Sequence, residues 1–149
     1  AFGEFMNMGW KYGAQPRRLL TFALDGKAQL PASPPPDMKV HALDDPTLKL
    51  DEADVKAGWA LSVRCAACHG VGMQSTGTPG PDLRESGTAL QADSLGQLLK
   101  SGALMERGMP RFETLSDTEV RQLHAYIRAR AREALGTRKP DTRPAPTRL

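Results

Sequence analysis

The sequence predicts a mainly α fold: at least three helices gathered around one site, preceded by a β segment and a proline-rich connector. Three observations carry this. Apolar residues recur at helical spacing in three stretches after residue 50, the part before residue 31 shows a short strand pattern instead, and prolines crowd the interval between. The chain has 149 residues, 40% of them hydrophobic and 25% charged, enough for one domain with extensions but not for two of full size. No apolar run approaches the roughly 18 residues that a bilayer crossing needs, and no internal repeat is present.

The β segment spans residues 1–30. Its clearest part, Arg18-Leu19-Leu20-Thr21-Phe22-Ala23-Leu24, runs into the turn signal Asp25-Gly26. A lone strand or hairpin is marginal without a partner sheet to cover its apolar face. The linker spans residues 31–49, where Pro31, Pro34, Pro35, Pro36 and Pro46 favour an extended, semi-rigid chain. A helical domain follows over residues 50–135. Asp51 is a good N-cap, with Glu52 and Asp54 suiting the helix dipole; Val55, Trp59 and Val63 lie on one face, and Gly70 ends the helix. A Gly-, Thr-, Ser- and Pro-rich loop fills residues 71–86. Asp93 is expected to cap a second helix through Leu95, Leu98 and Leu99, stopping near Gly102. Ser116 and Glu119 form a capping box for a third, with Val120, Leu123, Ile127 and Ala131 at the 3.6 period. Residues 136–149 form a basic tail with three prolines.

Five of the eight aromatic residues (Phe2, Phe5, Trp10, Tyr12, Phe22) fall in the first 22 positions. The later region is short of apolar bulk unless something else fills its middle. The net charge of +3 is concentrated at the end, where Arg128, Arg130, Arg132, Arg138, Lys139, Arg143 and Arg148 face only Glu133 and Asp141. Without interleaved aromatics or a nucleic-acid module, this predicts a solvated tail or docking strip and no nucleic-acid partner. The chain opens on Ala1 with neither an initiator Met nor a signal peptide, which suggests a processed or excised product.

The two cysteines are three apart, in Cys65-Ala66-Ala67-Cys68-His69, the signature of covalent c-type haem attachment. On a helix, positions i, i+3 and i+4 share a face, so two thiols and an imidazole can meet one flat ligand. Cys65 and Cys68 would form thioethers, and His69 would bind the iron. The competing uses of such a pair are a disulfide or thioredoxin-like motif, half of a zinc site, or none. The first lacks a βαβ context, and zinc lacks further Cys or His ligands at close spacing. A haem would also account for the missing aromatic bulk.

The second axial ligand decides between small-molecule binding and electron transfer. Met73 is only four residues past His69. Met105 and Met109 lie in the loop between the second and third helices, and Met109 is favoured because Gly108 allows close backbone approach and Pro110 stiffens the loop. Met105 and His41 are the alternatives, while His124 reads as a helix-surface residue.

Over residues 50–134 the pattern resembles the class I cytochrome c domain. That resemblance implies a class I cytochrome c fold in which a proline carbonyl accepts the ligating histidine's ring N–H, a role that would fall to Pro81 in Thr78-Pro79-Gly80-Pro81-Asp82-Leu83-Arg84. Arg84 looks like a haem-propionate partner. The first and last helices would cross beside the haem, with Leu123 and Tyr126 at the last helix's usual apolar positions. Where the family has Gly eight residues before the first Cys, Ala57 stands here beside Gly58, and Leu61 replaces a common aromatic, so a wider or rotated crossing is expected.

The strand-like Arg-Leu-Leu-Thr-Phe-Ala-Leu-Asp-Gly, the linker, Cys-x-x-Cys-His-Gly and Pro-Asp-Leu-Arg together resemble the C-terminal part of quinohaemoprotein dehydrogenases. That resemblance implies a β-propeller carrying pyrroloquinoline quinone (PQQ), whose last strands would be residues 1–30, and a haem c domain that takes its electrons in the bacterial periplasm. The PQQ site and the catalytic carboxylate have no counterpart in this chain, so no catalytic residue is assigned. Partners would be the propeller domain or subunit and an external acceptor such as a small redox protein or quinone. A free-standing periplasmic cytochrome, a haem enzyme or gas sensor with an open sixth position, and a non-haem CxxC protein are the other readings.

Overall fold

Asp51 starts helix α1 (Glu52–His69) by accepting hydrogen bonds from the Ala53 and Asp54 N–H groups at 2.8 and 3.1 Å, and the Gly70 N–H closes the helix on the Ala66 carbonyl at 2.9 Å. The chain is described here over residues 10–136 of a computed structural model. Helix α2 (Ala92–Ser101) stops at Gly102, as expected, but its N-cap is Gln91, which makes no side-chain cap. Asp93 lies inside the first turn, where its charge suits the dipole without capping. Helix α3 (Asp117–Gly136) has the expected capping box: Glu119 accepts from the Ser116 N–H at 2.8 Å, and the Ser116 hydroxyl accepts from the Glu119 N–H at 3.2 Å. Single 3₁₀ turns at Val71–Met73, Leu83–Glu85, Thr88–Leu90 and Met105–Arg107 shape the connections.

Helices α1 and α3 cross at Gly58. A Cβ there would lie 1.9 Å from the Gln122 carbonyl oxygen and 2.8 Å from Tyr126 Cβ, so only glycine permits the approach. Of the wider or rotated crossing expected at Ala57, the wider form is corrected: the neighbouring Gly58 makes the contact, and the helices touch backbone to backbone. The core beside this crossing holds Met73, Leu95, Leu99, Leu115, Val120, Leu123, Tyr126 and Ile127, with Leu61, Cys65, Leu83, Met109 and Phe112 packed against it. Among the described residues, no helix is long and apolar enough to cross a membrane.

No strand forms among the described residues. The stretch expected as a strand, residues 18–24, is unpaired, with Leu19 98% and Phe22 88% exposed, although the turn after it is present, Gly26 N–H donating to the Ala23 carbonyl at 3.1 Å. A strand needs a second edge to pair with, and among the described residues none lies beside it. Upstream, the chain is fastened to the helical domain. The Lys11 ammonium donates to the Lys39 carbonyl and pairs with Glu85 at 2.6 Å, and the Gly77 N–H donates to the Trp10 carbonyl at 3.0 Å.

The basic cluster is not purely a tail. Arg128 is fully buried and donates to the Leu43 and Leu83 carbonyls at 2.6 and 3.1 Å. Arg132 binds Asp44 and the carbonyls of Asp45 and Leu48, and Arg130 donates to the Gly72 carbonyl and pairs with Glu133. These three arginines bind backbone carbonyls outside the α-helices. Three of these carbonyls, of Leu43, Asp45 and Leu48, lie just before α1, so that stretch is strapped to α3. The remaining basic residues, from Arg138, and the first aromatics, Phe2 and Phe5, lie outside the described residues.

Candidate functional site

The last turn of α1 presents Cys65, Cys68 and His69, with the two thiols free of any disulfide. Cys65 is half-buried against the core and Cys68 is exposed. Burial pushes the Cys65 thiol up, with Arg64 opposing the shift and Cys68 adding to it. His69 is buried, and its Nδ1 lies 2.8 Å from the Pro81 carbonyl oxygen. A carbonyl only accepts, so Nδ1 is the donor, and in the neutral tautomer this leaves the lone pair on Nε2. This tautomer is the one an iron needs.

The loop that brings Pro81 to His69 depends on Gly80. A Cβ there would meet the Cys68 carbonyl oxygen at 2.6 Å and His69 Nδ1 at 3.0 Å, while the Gly80 N–H donates to the Cys68 carbonyl at 2.7 Å. Ser75, buried beneath the loop, donates its hydroxyl to the Gly80 carbonyl at 2.7 Å and its N–H to Asp82 at 3.2 Å. Arg84 is also buried, and its Nε and Nη2 hold both oxygens of Asp82 at 2.9 and 2.7 Å. The guanidinium expected to meet a propionate thus spends one bidentate face on Asp82. In the same loop, the Thr78 hydroxyl is buried with no protein partner, a polar atom left for a further group.

Met109 is half-buried and packs on the core with Phe112, whereas Met105 is 58% exposed. Gly108 has φ +88°, a left-handed turn that suits glycine, and no other protein side chain crowds it. Met73 is fully buried in the core, and the exposed imidazole of His41 bonds to Asp37 at 2.9 Å. His124, expected on the surface, is buried instead, with Nε2 3.1 Å from the Leu90 carbonyl oxygen. That contact closes α3 against the Thr88–Leu90 turn, which the helical period alone does not reveal.

These residues suit a c-type haem: two free thiols and an imidazole within the last turn of α1, with the Met109 thioether packed on the same core as Cys65 and an orphan hydroxyl in the Pro81 loop. No group of three His, Cys, Asp or Glu side chains able to hold a metal ion occurs among the described residues.

Residues 53–127 match the family described as cytochrome C oxidase, cbb3-type, subunit III. Among curated relatives, the quinohemoprotein alcohol dehydrogenase ADH IIB of Pseudomonas putida is 42% identical over 134 residues, covering 88% of this chain and 19% of the relative. The lupanine 17-hydroxylase (cytochrome c) of Pseudomonas sp is 34% identical, covering 83% of this chain and 17% of the relative. The dehydrogenase subunit of the alcohol dehydrogenase (quinone) of Gluconobacter oxydans is 35% identical, covering 89% and 17%. The chain therefore spans less than a fifth of the length of these relatives.

Proposed function

This chain belongs to the cytochrome c family, and from that premise we propose that it is the haem c electron-transfer domain of a periplasmic quinohaemoprotein dehydrogenase. A domain of this family carries one covalent haem c, which would here be attached through Cys65 and Cys68. His69 and Met109 would bind its iron in this reading. The haem, when bound, supplies a one-electron couple that a methionine ligand shifts to higher potential. Around it, Pro81 fixes the tautomer of His69, and α1 and α3 form a rigid frame. No side chain is assigned a proton transfer or a bond-making step.

The observation that carries the reading is the 2.8 Å contact between His69 Nδ1 and the Pro81 carbonyl at the end of a helix bearing both cysteines. The wider role draws on the relatives' names and on the exposed apolar side chains of residues 18–24. We assign residues 1–30 to the end of a PQQ-bearing β-propeller, residues 31–49 to a linker, 50–135 to the cytochrome and 136–149 to a basic tail. Electrons would come from PQQ, reduced by an alcohol or related substrate, and leave to a small redox protein or quinone.

A pyridine haemochrome assay on denatured protein tests the core of this. One covalently retained haem per chain is expected in the wild type, and none in a Cys65→Ala, Cys68→Ala double variant. A wild-type chain that releases its haem on denaturation would overturn it.

A further inference from the structure

We propose that Ser75, Asp82 and Arg84 form a brace that holds the Pro81 carbonyl against His69 and so act as positioning residues for the electron-donating strength of that ligand. The inference rests on the haem reading given above. Its basis is that the Pro81 peptide is gripped from both sides. On the Gly80 side, the carbonyl accepts the Ser75 hydroxyl and the N–H binds Cys68. On the other side, Asp82 follows Pro81 directly, and its carboxylate is locked by two guanidinium nitrogens of Arg84, by the Arg84 N–H at 3.0 Å and by the Ser75 N–H. Ser75 alone touches both sides.

The three side chains are buried, at 2%, 6% and 7% exposure. An ion pair this deep carries a desolvation cost that simple packing would avoid, so its geometry is what it contributes. Further back, Arg128 donates to the Leu83 carbonyl, and the Leu43 N–H donates to the Arg84 carbonyl at 2.9 Å, so α3 and the linker stiffen the same turn. A carbonyl held firmly on Nδ1–H draws that proton and makes Nε2 a stronger donor, which favours ferric over ferrous iron. Loosening the brace should raise the reduction potential.

Ser75→Ala tests this in the full haem-loaded chain, because it removes one hydroxyl and no charge. The expected result is a midpoint potential above wild type, with solvent exchange of the His69 Nδ1 proton roughly tenfold faster, in line with the loss of one hydrogen bond. Ser75→Thr keeps the hydroxyl and should restore both. Asp82→Asn should move the potential in the same direction, and it carries the test if Ser75→Ala does not fold. Unchanged potential and unchanged proton exchange in variants with full haem content would overturn the inference, even if their melting temperature falls. A wild type without covalent haem would instead sink the haem reading, and this inference with it.

Discussion

Gly58 in α1 lies against the carbonyl of Gln122 in α3, with room for a hydrogen but not for a methyl group, since an added Cβ would sit 1.9 Å from that oxygen. The contact is backbone to backbone, so it cannot be relieved by rotating a side chain. Gly58→Ala should force the helices apart and cost about 1–3 kcal/mol. Denaturant unfolding of the haem-loaded protein checks it, with Ala57→Gly as the control. If the crossing were centred on Ala57, that control would stabilise the fold, and Gly58→Ala would be tolerated.

Arg128 makes a second prediction, about the linker. Its guanidinium holds the carbonyls of Leu43 and Leu83 together while its own Nε has no partner, so the side chain is buried for the two bonds it makes. Arg128→Met keeps much of the apolar stem but leaves the Leu43 carbonyl without this donor and the Leu83 carbonyl with only the Ser86 N–H, at a cost of about 1–3 kcal/mol. The detached strap should become open to proteolysis near residues 43–48. An unchanged cleavage pattern would show that Arg132 and the Leu43 N–H bond to the Arg84 carbonyl hold it without Arg128.

The elements legible in the sequence are those that local chemistry specifies. Asp51, Gly70, Gly102 and the Ser116–Glu119 box mark helix ends through hydrogen bonds within a few residues, and the structure has each of them. The c-type spacing was legible for the same reason, because one helical turn places both thiols and the imidazole. What escaped depends on contacts distant in sequence. Arg128 and Arg132 look like tail charges until the linker, more than 80 residues upstream, is folded beneath them. His124 looks exposed until the Leu90 carbonyl arrives. Arg84 also holds Asp82, two residues away, a pairing the sequence pattern does not announce. The strand pattern at residues 18–24 specifies an apolar edge without specifying the sheet that completes it.

His124 gives a pH prediction. Burial lowers its pKa, and the nearby Arg128 charge lowers it further, while the bond to the Leu90 carbonyl opposes both. The folded protein thus favours the neutral ring. The stabilisation is present above the unfolded pKa of about 6.5 and is lost as pH falls below it, because the unfolded chain then takes up a proton that the folded chain resists. Stability should fall between pH 7.5 and 5.5, and His124→Gln, which can still donate to Leu90, should flatten that slope. Chemical denaturation at the two pH values measures it, and equal slopes in the two proteins would rule His124 out as the source.

The two loop methionines give the sharpest test of the axial ligand. Met109 packs against the core beside Phe112, whereas Met105 stands 58% exposed, its sulfur close to where a Gly102 side chain would be. A ligand must be held toward the iron by its surroundings, and only Met109 has such surroundings. Met109→Ala should therefore open a coordination position: the ferrous protein should bind carbon monoxide and the midpoint potential should fall, since thioether ligation is what raises it. Met105→Ala should leave both unchanged, with a stability change within about 0.5 kcal/mol, as for an ordinary surface position. Carbon monoxide binding by Met105→Ala and not by Met109→Ala would move the assignment to Met105, and binding by neither would place the sixth ligand outside this loop.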